Sequence, residues 1–94
     1  MILGFADRDT QALARGGFVR RFQGFGDQAR KRLRIFDAAT SLNDLRALPG
    51  NRLEALSGDR LGQYSVRINL QWRITFRWAQ GANGPSDVGI VDYH

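Results

Sequence analysis

The hydrophobic positions of this chain change their period near residue 51. Before that point the spacing is helical. Ala29, Leu33 and Phe36 fall at i, i+4 and i+7 and form one apolar stripe, while Arg30, Lys31, Arg32 and Arg34 occupy the other faces. The pattern predicts a helix over 27–39, with Asp27 placed as its cap. A shorter helix precedes it. Asp7 or Asp9 caps that one, Leu13 is its apolar contact, and Gly16-Gly17 ends it. The opening MILGFAD is apolar at Ile2, Leu3 and Phe5 and reads as a short strand. Phe18, Phe22 and Phe25 follow in a basic, Gly-punctuated stretch to which no element is assigned. Ser41 to Asp44 has the spacing of a capping box, which predicts a helical turn around 42–47. Pro49-Gly50-Asn51 is a turn signal.

After residue 51 the period is two. Arg52 to Leu56 reads as a short strand, and Ser57-Gly58-Asp59-Arg60 turns the chain. Tyr64, Val66 and Ile68 alternate with Gln63, Ser65, Arg67 and Asn69. Trp72, Ile74, Phe76 and Trp78 alternate with Arg73, Thr75 and Arg77. Asn69-Leu70 is expected to join these two strands as a tight hairpin, Asn tolerating the positive φ such a turn needs. Gly81 to Pro85 forms a second hairpin loop, and Asp87 to Val91 is the last strand.

The order strand, helix, helix, then four strands implies an α+β fold. Two N-terminal helices pack on one face of a small, mostly antiparallel sheet, β-α-α-β-β-β-β. The helices must cover the face bearing Val66, Ile68, Trp72, Ile74, Phe76 and Trp78. The other face then carries Gln63, Ser65, Arg67, Arg73, Thr75 and Arg77. An Arg-lined sheet face suits phosphate, yet most half-buried antiparallel sheets have a polar face of some kind.

Composition narrows the choice. With 94 residues, residues 1–94 make one small domain. The absence of Cys excludes a disulfide framework, a thiolate zinc site and thiol catalysis. One His and no clustered carboxylates make a metal site unexpected, and no cofactor is implied. The start lacks a basic stretch before an apolar run, and no apolar run approaches the ~20 residues of a membrane span. A cytoplasmic chain without membrane association is the expectation. The net charge is +5, and of the 14 cationic residues only Lys31 is Lys. Arg holds phosphate through a planar donor fork and stacks on bases, which suggests a nucleic-acid partner. A GC-rich genome produces the same Arg excess without any such role.

Asp92-Tyr93-His94 places three chemically capable side chains in consecutive positions after the apolar strand. The imidazole of His94 titrates near neutral pH, Asp92 can orient it or act as a base, and Tyr93 can donate a proton or stack. The same residues also read as an ordinary surface His and a packed Tyr.

Taken together, Gly50 to Arg60 (GNRLEALSGDR), Gly62 to Asn69 (GQYSVRIN), Gln71 to Phe76 (QWRITF) and Val91 to His94 (VDYH) resemble the HigB toxins of the RelE/ParE superfamily of bacterial type II toxin–antitoxin systems. The similarity also takes in Ala38-Ala39-Thr40, Leu42 and Asp44-Leu45-Arg46. It covers residues 30–94 well and the first 25 weakly. The resemblance implies a RelE-like fold and a ribosome-dependent, metal-independent endoribonuclease. Such a toxin cuts translated mRNA in the ribosomal A site by attack of a ribose 2′-OH on the adjacent phosphate. By position, Asp92, Tyr93 and His94 match the family's catalytic end, with Asp92 and His94 in proton transfer and Tyr93 on the nucleotide. Arg73 and Arg67 are assigned to the phosphates, and Arg77, Glu54 and Arg60 to substrate binding. Arg30 to Arg34 is assigned either to ribosomal RNA or to a solvated helix face.

The chain departs from the family's pattern at two positions. Some members carry His where Glu54 stands, and relatives often have Asp where Leu70 stands. Glu54 either takes over as a base or is a water-facing strand residue. The implied partners are a HigA-type helix-turn-helix antitoxin, the ribosome (16S rRNA and A-site mRNA), and operator DNA through the antitoxin alone. Two other readings stay open: a ParE-like inhibitor of DNA gyrase, and a non-catalytic nucleic-acid-binding module on the same fold.

Overall fold

The computed structural model describes residues 1–48, 50 and 52–92. Three helices, α1 (Arg8–Ala14), α2 (Gly26–Ala38) and α3 (Leu42–Arg46), precede four strands, β1 (Glu54–Ala55), β2 (Gln63–Arg67), β3 (Trp72–Arg77) and β4 (Ser86–Asp92). The strands form one antiparallel sheet in the order β1-β2-β3-β4. The α+β architecture with helices on one face agrees with the hydrophobic pattern. Among the described residues the α-helices number three, because the capping-box turn becomes α3.

The expected N-terminal strand is reduced to a single parallel bridge between Phe5 and Val88 at the edge of β4. Leu3 N donates to Pro85 O, Val88 N to Gly4 O, and Ala6 N to Val88 O. The segment cannot extend this ladder, because Asp7 ends it by accepting from Thr10 N at 2.7 Å and starting α1. Thr10 is fully buried, and its hydroxyl accepts the β4 edge N–H of Ile90 at 3.0 Å. One side chain thus fixes α1 to the strand that leads to Asp92.

Asp27 is not the cap of α2. Phe25 holds that position without a side-chain hydrogen bond, and Asp27 lies one residue inside the helix. Asp27 is fully exposed, 3.4 Å from Arg30. Phe25 is instead recruited to packing. It stacks on Trp72 at 4.9 Å, and Phe22 meets the same ring edge-on at 5.8 Å. Arg30 donates to Leu13 O and Gly17 O, where it binds the carbonyls at the end of α1. That contact gives Arg30 a structural place that the sequence alone left between RNA and solvent.

The core lies between the helices and one sheet face. Ala29, Leu33 and Phe36 of α2 are buried against Val66, Ile74, Phe76, Val88 and Ile90. Phe36 meets Phe76 edge-on at 4.9 Å. Leu45 of α3 is fully buried as well. Ser41 caps α3, and Asp44 reaches back to the Thr40 N–H and hydroxyl. These hydrogen bonds, first those from Thr40, hold the Asp44 carboxyl below the usual carboxylate range.

The β2–β3 hairpin has a three-residue loop, not two. Arg67 pairs with Arg73, and Ile68 N donates to Trp72 O, leaving Asn69, Leu70 and Gln71 between them. Asn69 acts through its side chain. Its Oδ1 accepts from the N–H groups of Gln71 and Trp72, so no positive φ is required there. β4 gains a bulge opposite Phe76, since Thr75 pairs with Gly89 but Arg77 with Ser86. Asp87 absorbs the extra residue at φ +49°. The expected strand at 52–56 shrinks to Glu54–Ala55, because Arg52 has φ +49° and leaves the extended region. The turn expected at Pro49-Gly50-Asn51 lies partly outside the described residues; Gly50 has φ +84°. Among the described residues, no helix is long and apolar enough to cross a membrane.

Candidate nucleic-acid interface on the polar sheet face

The alternation places Glu54, Ser65, Thr75 and Gly89 in one row across the four strands, each residue paired with the next. Arg67 and Arg73 form the adjacent row, continued by Val91. This face was expected to be solvated, but its centre is recessed. Ser65 is 0% exposed, Thr75 6% and Arg73 9%. On one side, Leu56, Ser57 and Arg60 stand around it. On the other, Ala6 and Asp7 pass so close that a Cβ on Gly89 would sit 3.1 Å from the Ala6 Cβ. Glycine lets the chain approach the sheet there without a shift of a few tenths of an ångström.

The result is a cleft of about 480 Å³ lined by Glu54, Ala55, Leu56, Ser57, Arg60, Thr75, Val91 and Asp92. Three of the residues singled out in the sequence, Glu54, Arg60 and Asp92, line it, and a fourth, Arg73, touches it through Glu54. Arg73 lies beside the cleft, next to the lining residue Glu54, with Nη1 3.3 Å from Ser65 Oγ and 3.6 Å from Glu54 Oε1. Arg60 stands on the wall and donates to Gln63 at 3.3 Å. Asp92 closes the β4 side, and its Oδ2 accepts from Gln71 Nε2 at 3.1 Å. In register Asp92 is opposite Trp72, on the row of the apolar positions, so it meets the cleft from the strand end.

Arg67 is half-buried beside Arg73, and its Nε is buried without a hydrogen-bond partner. A buried donor costs roughly 1–3 kcal/mol unless an acceptor, from water or from a ligand, meets it. Arg77 stands apart. It pairs with Gln63, four residues and about 13 Å along the strand from Arg73. Its Nε is 3.3 Å from Asp87 Oδ2, an ion pair created by the bulge. Tyr93 and His94 lie outside the described residues.

Ser65 and Thr75 were read only as polar positions. Their small size is the signal that was available: two short hydroxyl side chains paired at the centre of an Arg-bearing face leave room for a long side chain to lie down. Among the described residues, no group of three or more His, Cys, Asp or Glu gathers as metal ligands would. The cleft and the Arg row beside it thus bring together cations for a phosphate, hydroxyls and two carboxylates, an arrangement suited to binding and turning over a phosphodiester.

Residues 21–94 match the family described as the RelE-like toxin of type II toxin-antitoxin system HigB. A protein named toxin HigB-1 from Vibrio cholerae serotype O1 is 47% identical over 51 residues, 54% of each chain. An endoribonuclease HigB from Proteus vulgaris is 36% identical over 67 residues, 71% of this chain and 66% of that one. An uncharacterised protein of Haemophilus influenzae is 31% identical over 75 residues, 68% of this chain and 74% of its own. The chain thus spans about half the length of the Vibrio relative and just under two thirds of the Proteus one.

Proposed function

The chain belongs to the HigB-like toxins of type II toxin–antitoxin systems, and from that membership we propose that it is a ribosome-dependent endoribonuclease that cuts mRNA in the A site. The observation that carries the proposal is the recessed Arg73, with Arg67 beside it and Asp92 at the rim. A cross-strand Arg pair with one member almost buried suits a phosphodiester better than it suits a solvated structural role.

The reaction is transesterification. The ribose 2′-oxygen attacks phosphorus, the bond from phosphorus to the 5′-oxygen breaks, and the products are a 2′,3′-cyclic phosphate and a 5′-hydroxyl. A base takes the 2′-proton and an acid returns one to the 5′-oxygen, steps worth ~10²–10⁴-fold when groups are well placed. Asp92 and His94 are assigned to these transfers, and Tyr93 to holding the nucleotide. Arg73 and Arg67 stabilise the charge that builds on the phosphate oxygens. Arg60 faces the flanking backbone, Glu54 borders the substrate through its pairing with Arg73, and Arg77 is a remote contact at most. No metal is required by this scheme.

A HigA-type helix-turn-helix antitoxin neutralises the protein and brings it to operator DNA. Its substrate, mRNA held against 16S rRNA, places it in the cytoplasm. Expression in a bacterium lacking the antitoxin tests the reading. Growth arrest with mRNA cut inside reading frames and intact chromosomal DNA is expected. Broken DNA with intact mRNA would transfer the chain to the gyrase-directed class.

A further inference from the structure

Arg73 and Glu54 form an ion pair whose members are unequally held. The Arg73 side chain is 11% exposed and the Glu54 side chain 52%. Arg73 springs from the central strand β3 and is fixed from below by the fully buried Ser65 hydroxyl. Glu54 springs from a two-residue edge strand. A guanidinium this far from water needs a counter-charge close by. At 3.6 Å the carboxylate supplies one without a hydrogen bond of normal length. The anion is therefore the movable partner and the cation the fixed one.

We propose that the Glu54 carboxylate occupies the seat of an RNA phosphodiester on Arg73 and swings into solvent when RNA enters the cleft. The inference rests on the reading of this cleft as an RNA site. Carboxylate and phosphodiester each present two oxygens sharing one negative charge to an Arg fork. Exchange of one for the other keeps the buried guanidinium compensated throughout. Because Glu54 is half in water already, its withdrawal is inexpensive. Its charge nevertheless competes with the incoming anion, so Glu54 sets the affinity of Arg73 for phosphate below the maximum that the cleft could reach. This gives Glu54 a part distinct from that of a base: it is a positioning residue that acts through Arg73.

The test is binding of a fluorescent hexaribonucleotide carrying 2′-O-methyl groups, which lacks the attacking hydroxyl, to the full chain without ribosomes. Glu54→Gln should tighten Kd about fivefold, the upper range for a half-exposed ion pair. In an Arg73→Gln background the same change should gain nothing. Asp87→Asn, which removes an equal charge beside Arg77, should leave Kd unchanged. Unchanged or weaker binding by Glu54→Gln, an equal gain from Asp87→Asn, a gain that survives loss of Arg73, or no binding by any variant would each overturn the proposal. If Arg73→Gln fails to fold, the Arg73 Nε–H resonance of the unsubstituted protein answers instead. It should move as the oligonucleotide is added, and a stationary resonance overturns the idea. Binding as expected without cleavage of ribosomal mRNA would refute the endoribonuclease alone. Cleavage on ribosomes with no Glu54 effect on binding would refute the exchange alone.

Discussion

Arg67 and Arg73 stand directly opposite each other on β2 and β3, two like charges in one cross-strand pair on the same face. Such a pair works against the stability of the sheet. On the function proposed here, the two cations side by side, one with a buried Nε that meets no acceptor, receive the anionic phosphate.

Removing one of them should therefore separate stability from activity. Arg67→Gln is expected to leave the melting temperature unchanged or raise it, with a gain of up to about 0.5 kcal/mol. It should lower kcat/KM for mRNA cleavage about 10²-fold. Thermal denaturation and single-turnover cleavage, measured on the same preparation, check both halves. A fall in stability with full activity would mean that Arg67 is structural.

Thr10 ties α1 to β4, and its loss should be felt at the far end of that strand. Thr10→Val keeps the shape but leaves the buried Ile90 N–H without an acceptor, at a cost of about 1–3 kcal/mol. Amide hydrogen exchange should speed up at Ile90 and its β4 neighbours before it does so in α2. Uniform loss of protection would show that the contact is not local to β4.

Phe36 marks the centre of the core, with Phe76 edge-on against it. Phe36→Ala should cost about 3–5 kcal/mol, a large share of the stability of a domain this size. Urea denaturation reads it directly, and a cost below 1 kcal/mol would contradict the assigned core.

Acid should loosen α3 selectively. The folded-state pKa of Asp44 is depressed by hydrogen bonds from Thr40, so its contribution to stability is complete above the ordinary carboxylate pKa. That contribution is lost as pH falls through the lower, folded value. The Thr40 amide resonance should follow this titration, and Asp44→Asn should abolish its pH dependence below pH ~4. A Thr40 signal that titrates equally in the variant would place its partner elsewhere.

The sequence made the sheet legible because alternation there is strict. From Gln63 to Arg77, residues fall on the faces their parity demands, with Val66, Ile74 and Phe76 inside and Arg67 and Arg73 outside. The Ala29–Leu33–Phe36 stripe was legible for the same reason. What period could not reveal was depth. Arg73 reads as an exposed cation until the size of Ser65 and Thr75, and the chain passing over Gly89, are known in three dimensions. Asp27 and the MILGFAD segment failed for a related reason. Local signals lost there to tertiary ones, the Phe25–Trp72 stack in the first case and the Asp7–Thr10–Ile90 connection in the second. Arg30 looked like part of a solvated run, and only the position of the α1 carboxy end shows what it binds.

The most direct test is a reconstituted translation reaction containing the purified protein, with mRNA 5′ ends mapped at nucleotide resolution. We expect new 5′-hydroxyl ends in register with codons, only while ribosomes translate, and about 10²-fold fewer of them with Asp92→Asn. Cleavage of free mRNA at the same positions, or an undiminished yield from Asp92→Asn, would contradict the assignment of this cleft to ribosome-dependent RNA cutting.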